Sequence, residues 1–189
     1  MRRVIVNSTP IIVLCNIGKL HILKSLYGQI VIPKAVYDEV TSKEDSACLQ
    51  LKQETDWIIV ESIHNFEAKR MYQAKLHAGE VEVMILAQES PQADLLIIDD
   101  AAAKKTAKFL NLTVTGTLGV LIKAKQLGYL DNVSDCLKEM QRCGFYISPK
   151  IANLVLKQAG EKSSYVIPNT SCYVNEHRAP YGLRKPFNG

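Results

Sequence analysis

Six side chains stand out for the chemistry they could do together: Asn7, Glu39, Glu80, Glu82, Asp99 and Asp100. All offer oxygen donors, and no histidine or cysteine joins them at ligand-like spacing. Oxygen-only sets suit hard cations, so the cofactor they would take is Mg2+ or Mn2+. Several acids around such an ion point to phosphodiester chemistry, in which water is activated and the leaving oxygen stabilised. Each acid also has a plainer reading. Glu80 stands in the first turn of a helical stretch, where a carboxylate favours the helix dipole. Glu39 fits a solvated helix position. Asp99-Asp100 fits a strand-end turn with an N-cap for the next helix. Neighbouring residues point apart, so these two do not serve one site equally. Glu82 is the most informative. It lies in a stretch, 79–88, that is apolar nearly all round. A carboxylate buried there without a partner costs several kcal/mol, so it must reach a cation or a narrow wet stripe.

The elements that position these residues follow from the apolar pattern. Residues 2–6, 29–32, 57–60, 95–98 and 112–114 read as short strands, several of them continuous apolar runs of the fully buried parallel kind. Between them lie helical stretches. One begins near Pro10 after an Asx-type turn at 7–10 and stops at Gly18. Others cover 20–26, a segment opened by Pro33, 43–54, 65–76, 79–88, 101–110 and 117–127. Two more follow at about 133–142 and 149–159. Strands that alternate with helices imply a parallel sheet covered on both faces. Ligands of such sheets bind at the carboxyl ends of the strands. Asn7 ends the first strand and Asp99-Asp100 ends a central one.

Bulk properties narrow the class. The 189 residues carry 23 basic and 19 acidic side chains, a net charge of +4, which is no polyanion-binding signature by itself. Any nucleic-acid site must be a local patch. The apolar runs are too short to span a bilayer, and the opening residues read as a strand and turn rather than a signal peptide. A cytoplasmic location without a membrane is the expectation. The five cysteines form no CxxC, which argues against a disulfide framework or a zinc site. Residues 1–161 read as one domain. Residues 162–189 are polar, proline-containing and without apolar periodicity, and read as an extended or poorly ordered extension.

The order of motifs resembles the PIN-domain family. "VIVNSTPIIVLCNIGKL" is similar to its opening strand and D/N-S/T-S/T-P turn, and "VIPKAVYDEV" to its second strand and glutamate-bearing helix. "GEVEVMILAQE" resembles the GExEAxxLAxE helix of one branch. "LLIIDDAAAKKTAKFLNLTVTGTLGVLIKAKQLGYL" and "CGFYISPKIANLVLKQAGE" resemble that branch's later blocks. The resemblance implies a three-layer α/β/α fold with a central parallel sheet of about five strands. It implies metal-dependent cleavage of single-stranded RNA by an activated water, as in VapC-like toxins silenced by an antitoxin. A homodimer is a further expectation. The family's first aspartate falls on Asn7, whose amide oxygen can still ligate but brings no charge. Its second acid falls on Glu39, and its third best on Glu82, with Glu80 as neighbour. Its last falls on Asp100, with Asp99 adjacent. Glu39, Glu82 and Asp100 are therefore the expected catalytic acids. Thr115, Thr117 and Lys104 are candidates for substrate contact. Thr117 also fits a helix N-cap, and Lys104 and its neighbouring lysines fit solvated helix faces as well as an RNA path. A PIN fold that binds nucleic acid or protein without cutting is the rival reading.

Overall fold

A computed structural model describes residues 3–72, 76–90 and 94–162. The extension expected at 162–189 falls almost wholly outside the described residues. The strands are β1 (Val4–Val6), β2 (Ile30–Pro33), β3 (Ile58–Glu61), β4 (Leu95–Ile97) and β5 (Thr113–Thr115). The helices are α1 (Ser8–Asn16), α2 (His21–Tyr27), α3 (Lys34–Thr41), α4 (Ser46–Gln53), α5 (Phe66–Tyr72), α6 (Ala78–Glu89), α7 (Ala101–Phe109), α8 (Thr117–Gln126), α9 (Val133–Arg142) and α10 (Pro149–Gln158).

The strands form one parallel sheet in the order β3-β2-β1-β4-β5, flanked by helices. This is the expected α/β fold with five parallel strands. β1 is central, and all three of its residues are buried. Its run of Val-Ile-Val satisfies both the β-branched preference and the need for an apolar side chain on each face. The chain moves outward from β1 to β2 and β3, then returns across the sheet to β4. The switch point therefore lies between β1 and β4, where Val6 pairs with Ile97. Open sheets bind ligands in the crevice at that place.

α6 is buried from Gly79 through Ala87, as its apolar sequence requires, and it packs on α3 and on strands β1, β2 and β4. It forms the wall that brings carboxylates to the switch point. The helix after β1 differs from expectation. It begins at Ser8, two residues before Pro10, because proline needs no amide partner in the first turn. Among the described residues no single helix is long and apolar enough to cross a membrane.

Candidate active site

Asn7 occupies the N-cap position of α1, yet its side chain makes no capping hydrogen bond. Asparagine is among the best N-caps, so this is a capping opportunity left unused. The side chain is 3% exposed, and its Oδ1 accepts no hydrogen bond at all. An orphaned buried acceptor costs about 1–3 kcal/mol. The backbone N–H of Asn7 donates to the Ile97 carbonyl at 3.0 Å, which fixes the residue against the end of β4.

Gly79 shows what surrounds that oxygen. A Cβ added at Gly79 would lie 3.1 Å from Asn7 Oδ1, 3.1 Å from Val36 Cγ2 and 3.3 Å from Glu39 Oε2. The glycine thus lets α3 and α6 close together, with Asn7 Oδ1 and Glu39 Oε2 both packed against it. Glu80 follows it. Its Oε2 accepts from the His77 backbone N–H at 3.1 Å, and the side chain is buried. Burial pushes the Glu80 carboxyl above its ordinary value, against the pull of the His77 N–H, and the charges of Asp100 and Glu39 push it the same way as burial. Asp100 caps α7, its Oδ1 accepting from Ala103 N–H at 2.8 Å. Glu80 therefore stands within electrostatic reach of Asp100 and Glu39, and its neighbour Gly79 lies against Asn7 and Glu39.

Both Glu82 carboxylate oxygens have other partners. Residues two apart on a helix project about 200° apart, so Glu80 and Glu82 cannot share a face. Glu82 is 5% exposed, with Oε2 accepting from Ala35 N–H at 3.0 Å and Oε1 from Lys69 Nζ at 2.6 Å. Its cation is a lysine, and it fastens the first turn of α3 to α6.

Asp99 also turns elsewhere. It accepts from the Thr117 backbone N–H at 2.9 Å and from the Thr117 hydroxyl, and Lys104 Nζ stands 3.9 Å from its Oδ1. These contacts use up the hydroxyl and amide of Thr117, which is 1% exposed. Thr117 is not the N-cap of α8, which is Gly116; Asp99 supplies the capping acceptor across the chain. A Cβ at Gly116 would meet Lys104 Nζ at 2.6 Å and Asp99 Oδ1 at 2.7 Å, so glycine is needed for this clamp. Thr115 Oγ1 lies against Gly119 in the same way. Thr117 and Lys104, expected at the substrate, hold β4, α7 and α8 together. Lys125 donates to the Asp131 carbonyl, and Lys123 lies over the Tyr27 ring at 4.6 Å.

The donor set fits a hard cation, being all oxygen with one orphaned acceptor inside it. Among the described residues no three His, Cys, Asp or Glu side chains close on one point by themselves. Cysteine chemistry is ruled out at Cys15, whose thiol burial pushes up to about 12, with Asp45 and Glu54 adding to the shift. Sequence reading passed over Gly79 and Lys69. The signal for Gly79 was a glycine directly ahead of two acids in a helix otherwise built for burial.

No curated relative matches the chain. A family profile described as a PIN domain matches residues 3–161. PIN domains are generally nucleases that use divalent metals. With the parallel sheet, the switch-point acids and that match over most of its length, the chain belongs to the PIN-domain family.

Proposed function

We propose that this protein is a metal-dependent endoribonuclease of the VapC-like toxin type that cuts single-stranded RNA. One observation carries the reading: Asn7 Oδ1, at the end of the central strand, is buried without a donor on the side where Glu39 approaches Gly79. Asn7, Glu39, Glu80 and Asp100 would hold Mg2+ or Mn2+. The bound ion supplies Lewis acidity toward the phosphate and lowers the pKa of water. The chain's own residues supply the rest. Glu80 is oriented by the His77 backbone N–H, which donates to its Oε2 at 3.1 Å. Asp100 is fixed by capping α7, and Glu39 is held across Gly79 by the packing of α3. Lys69 and Lys104 neutralise Glu82 and Asp99, which keeps two further acids from repelling the substrate.

The reading places the protein in the cytoplasm, with RNA as substrate, a cognate antitoxin as its protein partner and a homodimer as its assembly. The missing charge at Asn7 favours one other reading, a PIN fold that binds RNA without cutting it. Incubation of single-stranded RNA with the full chain, with and without Mn2+, separates the two. Manganese-dependent cleavage that is lost in Glu39→Gln and Asp100→Asn supports the nuclease. RNA retention without cleavage under every divalent ion supports the binding module.

A further inference from the structure

Asn7 sets a charge problem that neighbouring side chains do not solve. Its Oδ1 is buried and accepts no hydrogen bond, and it packs against Gly79 on the side where Glu39 Oε2 also approaches. It therefore presents a ligand's geometry without a ligand's charge. An aspartate at the same place would add a fourth carboxylate to Glu39, Glu80 and Asp100, and the described lysines nearby, Lys69 and Lys104, are already paired. Lys69 is engaged by Glu82 and Lys104 by Asp99. The amide lets this wall fold without a bound ion, because it removes one buried charge. The same substitution weakens the attraction for a divalent ion.

We propose that Asn7 makes ion binding depend on the substrate, with an RNA phosphate supplying the anionic oxygen that the amide lacks. The divalent ion and the RNA then bind weakly apart and tightly together. Such coupling is reciprocal: whatever factor RNA adds to ion affinity, the ion adds to RNA affinity. The inference rests on the metal-dependent nuclease reading above and adds the order and charge of its assembly. It also assigns Asn7 the role of a specificity-determining residue.

The test titrates Mn2+ into the full chain and follows the free ion by electron paramagnetic resonance. It is run alone, with a cleavage-resistant phosphorothioate RNA, and with a methylphosphonate RNA whose linkages carry no charge. Phosphorothioate RNA is expected to tighten Mn2+ binding about tenfold, and methylphosphonate RNA to leave it unchanged. Asn7→Asp is expected to tighten Mn2+ binding about tenfold without RNA and to reduce the effect of RNA to about twofold. The two RNA arms need only the natural chain, so they decide the matter even if the variant folds poorly. Tight Mn2+ binding that RNA does not alter overturns this inference and leaves the nuclease reading standing. Equal enhancement by the charged and the uncharged RNA also overturns it. Absence of Mn2+ binding in every arm overturns both.

Discussion

Glu80 and Glu82 stand two positions apart in one motif and have opposite fates. Glu80 feels the charges of Asp100 and Glu39, while Glu82 accepts from Ala35 N–H and Lys69. Removing Glu82 leaves a buried amide and a lysine without their acceptor. Glu82→Ala should cost about 2 kcal/mol, and Glu82→Gln less, because an amide oxygen can still accept from Ala35. Chemical denaturation measures both. Glu80 makes a pH prediction of its own. Its carboxyl is raised in the fold, so the folded protein holds that proton more firmly than the unfolded chain. Between the ordinary carboxylate value and the raised one, the folded state binds more protons, and stability falls as pH rises. Natural chain minus Glu80→Gln, measured without divalent ions, should therefore lose stability from acid toward neutral pH. A difference that stays flat with pH would show that Glu80 is not strained. Of these roles, only the presence of two acids was readable from sequence. The apolar surroundings of Glu82 showed that it needed a partner but could not say which. The partner, Lys69, comes from another helix, and its pairing depends on tertiary packing.

At the scale of elements, the strands and helices were legible because buried parallel strands are short apolar runs and the helices between them have distinct faces. The α1 start was legible to within two residues, since Pro10 is compatible with several first-turn positions. The contacts that set the site were less legible. The TGTLG segment reads as turn chemistry, yet its glycines are there because Asp99, Lys104 and Thr115 approach so closely. Gly79 plays the same part between α3 and α6. Gly79→Ala would press a methyl group against Asn7 Oδ1 and Val36 and should cost about 1–3 kcal/mol. Thermal melting checks this, and an unchanged midpoint would show that α3 and α6 can separate freely. The Asp99 clamp predicts that Thr117→Val, which keeps volume but removes the hydroxyl, costs about 1 kcal/mol by leaving a carboxylate oxygen short of a donor.

For the whole molecule, the family match ends at Glu161, and the structure gives that residue work to do. Its carboxylate accepts from Val133 N–H at 2.6 Å and Ser134 N–H at 3.0 Å, capping α9 from the far end of the domain. We propose that the folding unit ends here. A chain ending at Lys162 should melt close to the full protein, whereas one ending at Gly160 loses the cap. That loss costs about 1 kcal/mol, or roughly 2–4 °C for a domain of this size. Two equal midpoints would show that the cap contributes nothing.

The proposed reacting cluster holds Asn7, Glu39, Glu80 and Asp100 and leaves out Glu82. Cleavage of single-stranded RNA in Mn2+ by Glu80→Gln and Glu82→Gln, compared at equal folded concentration, tests it most directly. The rate should fall at least about 100-fold for Glu80→Gln and less than about tenfold for Glu82→Gln. A full rate in Glu80→Gln together with loss in Glu82→Gln would make Glu82 the reacting acid instead.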